Sequence, residues 1–414
     1  MRGVAQWLVV TMVAAVLAGC AAQAGGPPQS EFGGLQSKDA LAKVGWQYYW
    51  NVLPPPGLLQ SGETLDRILM VGDALVCVTD QNRLIAYEAS TGRFRWYYNV
   101  RSPDRKVYDP IFVKDVSIHE AVPGLAAIID PEKAPMAKPF DAVVVHTAHY
   151  VIVLNAMTGK VVRDDSVGRF QDVSPGAGGC ADSKRFYGVT PKGLCFAYDL
   201  DSGIRTWTFG GYSGVSAPLR EFAGQVFLAN QDGEIMAAQA GKSLKMNWMQ
   251  SISEPIVAPL AVSKRGLFVA GEQGNLQGFE SIGGARTWKE PFRCQGRLVD
   301  APQVSGRTVF QYAQGDTFYA VNLSDGKKRW TMKNGRTVLA IVGEEACILD
   351  ARRVLRVVNE ETGKEKYALP MTGLDLFLPT TASDGIWAAA RDGRVFCLRP
   401  LSAGRLTLDK LNAP

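Results

Sequence analysis

From Val44 onward the chain alternates short runs of β-branched and aromatic residues with clusters of Gly, Asp, Asn and Ser. Runs of about four to eight such residues between turn formers predict strands, and their regular spacing predicts an all-β architecture. The clearest run is Leu84-Ile85-Ala86-Tyr87-Glu88-Ala89-Ser90-Thr91-Gly92, with Trp96 four residues later. Leu194-Cys195-Phe196-Ala197-Tyr198-Asp199 leads in the same way to Gly203 and Trp207, and Phe318-Tyr319-Ala320-Val321-Asn322 to Gly326 and Trp330.

Eight copies align. Their small or β-branched column holds Ala86, Val153, Ala197, Ala238, Gly278, Ala320, Val357 and Cys397. Six residues on stand Gly92, Gly159, Gly203, Gly284, Gly326 and Gly363, with Leu244 in the fourth copy and Ala403 in the eighth. Four further on come Trp96, Trp207, Trp248, Trp288 and Trp330, with Arg163 and Tyr367 as departures. Successive copies lie 67, 44, 41, 40, 42, 37 and 40 residues apart, so beyond the first interval the period is near 40.

Each column has a mechanical reason. The corner glycine supplies a positive φ at a hairpin turn. The small residue allows close approach of neighbouring strands, and the Trp has the area to fill a gap between sheets. A second turn, such as Asp232-Gly233, Gln273-Gly274, Gln314-Gly315 or Asp392-Gly393, lies about ten residues before each corner and joins the second and third strands. Four short antiparallel strands per period of about 40 residues predict propeller blades. The expected fold is therefore all-β, a single β-propeller of four-stranded antiparallel blades, eight in number with seven as the alternative.

The eighth copy lacks a Trp after Gly404, and Trp46-Gln47-Tyr48-Tyr49-Trp50-Asn51-Val52 looks like Trp96-Tyr97-Tyr98-Asn99-Val100. The N-terminal segment is expected to supply the last strand and close the ring.

A small residue, an acidic residue or Asn, then Thr-Gly and Trp resembles the PQQ-type propeller repeat. That family includes quinoprotein dehydrogenases and the BamB-type lipoproteins of the outer-membrane β-barrel assembly machinery. The resemblance covers about residues 46 to 410. It implies either a non-catalytic scaffold that presents loops or a blade edge to an envelope protein, or a quinone-dependent periplasmic dehydrogenase. A propeller that binds envelope polysaccharide is a third reading.

The start of the chain bears on that choice. Arg2 precedes the uncharged run Trp7 to Ala18, which is too short for a hydrocarbon core and reads as a secretory signal. Leu17-Ala18-Gly19-Cys20 resembles a lipobox, which implies cleavage before Cys20 and acylation of its sulfur and α-amine, palmitate included. Several acyl chains would anchor the protein stably. Residue 21 is Ala rather than the Asp of inner-membrane retention, which favours the outer membrane, facing the periplasm. Residues 1–19 are thus expected as signal peptide, 20–43 as a lipidated flexible tether rich in Gly and Pro, and 44–414 as the propeller.

Composition narrows the chemistry. The chain has 414 residues and a net charge of +5 from 45 basic and 40 acidic side chains, which gives no footprint for nucleic acid. It has only three His, and His146 and His149 stand three apart, so in a strand they point to opposite faces. They are expected as a strand and a turn residue rather than a metal pair. Cys77, Cys195, Cys347 and Cys397 lie in apolar runs and read as small buried hydrophobes, while one bridge, Cys180 with Cys195, is open. Resemblance to the dehydrogenases implies adjacent cysteines and a calcium held by carboxylates; no two Cys are adjacent here. No catalytic residue, cofactor, metal or small-molecule substrate is therefore expected. The long first interval places about 25 extra residues within 101–139. That apolar, Pro-containing stretch is either a docking loop or a tolerated insertion.

Overall fold

The computed structural model describes residues 37–407 and 411, except 101–106, 120–137, 165–172, 174–177, 211–213, 216, 242, 244 and 316. All of these belong to one compact unit that extends from Gly34 to Pro414. Cys20, the signal segment and most of the expected tether lie outside the described residues.

The strands form eight four-stranded antiparallel sheets. Seven are consecutive in the chain: blade 1 spans 65–99, blade 2 111–164, blade 3 179–209, blade 4 220–251, blade 5 261–293, blade 6 303–333 and blade 7 335–370. Blade 8 takes three strands from 376–400 and its outermost from Trp46–Val52, paired from Trp46 opposite Pro400 to Val52 opposite Val395. The protein is an eight-bladed propeller whose ring is closed by its N-terminal strand, as the residue pattern predicts.

The first strand of each blade is innermost. Gly179–Ala181 touches both Ile111–Val116 and Arg220–Phe222 of the flanking blades. Second and third strands are covered on both faces by neighbouring blades, which is why they read as unbroken apolar runs; all six residues of Ala74–Thr79 are buried. The core lies between blades. One cluster joins Val76, Ala86 and Trp96 of blade 1 to Val143, Val145 and Leu154 of blade 2. Another joins Trp50, Trp387 and Cys397 of blade 8 to Leu75, Cys77 and Ile85 of blade 1.

The acidic or Asn column of the repeat caps the corner. Asn322 Oδ1 accepts from Ser324 N at 3.1 Å, and Asn359 Oδ1 accepts from Thr362 N at 2.9 Å. Opposite the small column the pairing slips by one residue, between Ala86/Tyr87, Ala197/Tyr198, Ala320/Val321 and Val357/Val358. The resulting bulge leaves the residue before the Trp without a partner of its own in the register. Arg95 in that position meets Asp73 with two bonds of 2.6 Å.

Three expectations need correction. The folded body begins before residue 44: Lys38–Lys43 is a helix capped by Ser37, because Leu41 is completely buried. In the fourth copy the small residue opposite Trp248 is Ala237, not Ala238, since that corner is one residue longer. The bridge left open between Cys180 and Cys195 is absent, and both are free thiols. They sit on strands that flank Arg185–Val189 on opposite sides, roughly 9–10 Å apart by strand spacing and beyond disulfide reach. The insertion of the first interval falls between the first and second strands of blade 2, Ile111–Val116 and Phe140–His146, and most of it lies outside the described residues.

Candidate functional site

The repeat residues form the joints between blades. Gly326 in the corner of blade 6 has φ of 71°, and a Cβ on it would stand 2.7 Å from the Trp288 ring of blade 5. Trp288 in turn donates its indole N–H to the Leu323 carbonyl of that corner at 2.9 Å. Gly363 meets Trp330, Gly159 meets Trp96, and Gly92 meets Trp50 in the same way. Their indoles donate to Glu360 at 2.8 Å, Ala156 at 2.8 Å and Ala89 at 3.1 Å. Glycine is thus required twice at the corner, for the turn and for the ring lying on it. Trp50 occupies the Trp column of blade 8, opposite Cys397.

The departures are local repairs. Arg163 replaces a Trp in blade 2 and donates to the Asp201 carbonyl of the blade 3 corner, where Gly203 has φ of 70°. Trp207 donates to the Gly241 carbonyl of blade 4 at 3.0 Å. Tyr367 replaces a Trp in blade 7, and its hydroxyl accepts from the Trp46 indole at 2.6 Å. Trp248 lies on Gly284, but its indole nitrogen is buried without an acceptor. These residues join each blade to the next.

The remaining candidates are structural too. His146 ends a strand and is 1 % exposed, while His149 lies in the following turn. The His146 ring stacks on Tyr108 at 4.8 Å and tilts against Phe186 at 4.8 Å, and neither ring nitrogen has a hydrogen-bond partner. Burial therefore lowers its pKa to about 3. Burial likewise pushes the thiols of Cys77, Cys195 and Cys294 up to about 12, so none is poised as a nucleophile. Among the described residues no three His, Cys, Asp or Glu side chains converge as metal ligands. Nor are any two cysteines adjacent, so the described residues do not assemble the calcium and cysteine features that the dehydrogenase resemblance implies. Arg399, fully buried, forms a two-point pair with Asp384 at 2.7 and 2.8 Å, donates to the Gly404 carbonyl at 2.6 Å and lies over Tyr49 at 4.9 Å. It ties the last strand of the chain to its first.

What is open to a partner is the rim. The outermost strand of each blade has one free backbone edge. On blades 1 to 4 those strands expose large apolar side chains: Tyr97 at 52 %, Val161 at 45 %, Phe209 at 37 %, and Met246 and Met249 at 50 % and 47 %. Lys245–Ser251 of blade 4 is the most exposed of the set and spans seven residues. Blades 6 and 7 differ: their outer strands expose Lys328, Thr331, Lys333, Glu365, Lys366, Ala368 and Pro370, none of them a large apolar side chain, and Lys366 is ion-paired with Glu345. The large apolar side chains that the outer strands expose thus lie on blades 1 to 4. Sequence reasoning found the outer strands but not this asymmetry, which appears only when residues from separate copies are seen side by side.

Joints, bulges and closure together define an eight-bladed β-propeller. Within that class, the family model of the outer membrane protein assembly factor BamB matches residues 245–405, from the outer strand of blade 4 through blade 8. Among solved structures, BamB from Moraxella catarrhalis is similar with a TM-score of 0.61 at 18 % identity, over 87 % of this chain and 99 % of that one. The computationally designed protein Ika8 is similar with a TM-score of 0.57 at 13 % identity, over 81 % of this chain and 96 % of that one. At such identities the likeness is one of fold. No curated protein matches the chain in sequence.

Proposed function

We propose that this protein is a non-catalytic scaffold of the bacterial envelope, held by lipid on Cys20 to the outer membrane, that binds a component of the β-barrel assembly machinery. The observation that carries the reading is the match of residues 245–405 to the BamB assembly-factor family. The lipobox-like Leu17-Ala18-Gly19-Cys20 supports the anchor, and no helix among the described residues is long and apolar enough to cross a membrane. The apolar outer strands of blades 1 to 4 offer both side chains and a free strand edge to an extended partner segment. Affinity isolation of the tagged full chain from solubilised membranes tests the partner: enrichment of a β-barrel assembly component is expected, and its absence defeats the proposal. Fatty-acid labelling tests the anchor separately; Cys20→Ala should abolish it.

A further inference from the structure

In the turn between the second and third strands of a blade one residue stands in the left-handed region. It is Asn82 in blade 1, Gly193, Gly233, Gly274 and Gly315 in blades 3 to 6, and Gly393 in blade 8. Blade 7 has Arg353 there, at φ of 59°. Glycine adopts that backbone freely, whereas an arginine carries a steric cost. The Arg353 side chain has a specific use: its guanidinium donates to the Asp375 carboxylate at 2.9 Å. Asp375 lies in the connection from blade 7 to blade 8, and its other oxygen accepts from the backbone N–H of Arg391 at 3.2 Å. Arg391 belongs to the matching turn of blade 8. The turns of blades 7 and 8 therefore meet at one carboxylate.

That carboxylate is neutralised from within, and so are its neighbours. Asp350 pairs with Arg356 at 2.9 Å and Asp392 with Arg394 at 2.9 Å. On blade 1, Leu65 N–H donates to the Arg391 carbonyl, and the adjacent Asp66 pairs with Arg67 at 2.8 Å. Two guanidiniums are left over. Arg352 and Arg391 are exposed, and among the described residues neither side chain has a hydrogen bond or an ion pair. This end of blades 7 and 8 thus carries a surplus of positive charge, with the acids beside it already engaged.

We propose that the turns of blades 7 and 8 dock an acidic polypeptide segment, one carboxylate on Arg352 and another on Arg391. A guanidinium presents a planar fork of N–H donors that matches a carboxylate. Arg353 acts indirectly: by holding Asp375 it keeps that carboxylate from pairing with the Arg391 side chain. Two free arginines fall short of the roughly four to eight basic residues that mark a lipid-surface site, so the surplus suits a polypeptide rather than a membrane. The site lies at the ends of the strands, apart from the apolar outer edges of blades 1 to 4, and does not depend on the partner proposed for them.

Fluorescence polarisation of labelled octaglutamate, titrated with the full chain carrying Cys20→Ala, tests the assignment without any contribution from a lipid anchor. Binding should saturate, and should be lost in about 1 M salt, where the Debye length falls to about 3 Å. Arg352→Gln combined with Arg391→Gln should weaken it on the order of tenfold at unchanged melting temperature. Lys160→Gln combined with Lys364→Gln removes the same charge from exposed corners at the opposite ends of the strands and should leave the affinity unchanged. No saturable binding at about 1 mM protein, the weak end of specific affinity, would overturn the proposal. So would an equal loss in the lysine variant. Vesicles of phosphatidylglycerol bound more tightly than octaglutamate through the same two arginines would overturn it in favour of a lipid surface.

Discussion

Acid should weaken this propeller through His146. The ring is fully buried between Tyr108 and Phe186, its nitrogens are unbonded, and burial lowers its pKa from 6.5 to about 3. Above about pH 6.5 the imidazole is neutral in both the folded and the unfolded chain and contributes no pH dependence. Below that, the unfolded chain takes up a proton that the folded chain excludes, so stability falls as pH drops from 6.5 toward 3. The slope approaches about 1.4 kcal/mol per pH unit, and between pH 7 and pH 5 the loss from this residue is about 2 kcal/mol. Urea unfolding of the protein and of His146→Phe at both pH values isolates it, because carboxylates titrating in the same window act on both proteins alike. The variant should lack about 2 kcal/mol of the acid loss. At pH 7 it should be at least as stable, since Phe keeps the aromatic packing and removes two unsatisfied nitrogens. An equal acid loss in the two proteins would refute the reasoning.

Four further outcomes test the turns, joints and closure of the ring. Gly326→Ala combines a left-handed backbone with a Cβ 2.7 Å from the buried Trp288 and should cost about 2–4 kcal/mol in urea unfolding. Gly343→Ala, at φ of 61° with nothing within 4 Å, should cost only the backbone part, about 1 kcal/mol. Trp330→Phe loses the bond to the Glu360 carbonyl whereas Trp248→Phe loses none, so the first should be about 1 kcal/mol more destabilising than the second. Deleting residues 44–53 removes the outer strand of blade 8 together with Trp50 and should lower the melting temperature sharply. An unchanged value would mean that the ring does not depend on that strand.

The architecture was legible because one turn, one small residue and one Trp recur at a nearly constant interval, each placed by a local rule. What those residues touch was not legible. Trp288 packs on Gly326 rather than on the glycine of its own corner, and nothing in one copy says which neighbour it meets. The slip between Ala237 and Ala238 came from a corner one residue longer, which a fixed column spacing cannot register. The early start of the fold rests on Leu41, completely buried in a short helix that packs on the strand closing the ring. The exposed apolar side chains of the rim depend on residues 97 to 249 being brought to neighbouring blade edges by the circular order of blades.

The central claim is that the apolar rim of blades 1 to 4 docks on a β-barrel assembly partner. Photoreactive side chains placed singly at Tyr97, Met249 and Lys328 of the full chain in its native membranes test it most directly. Crosslinks to a β-barrel assembly component from positions 97 and 249, and none from 328 on blade 6, are the predicted result. No such crosslink from 97 or 249, or equal yield from 328, would contradict the account.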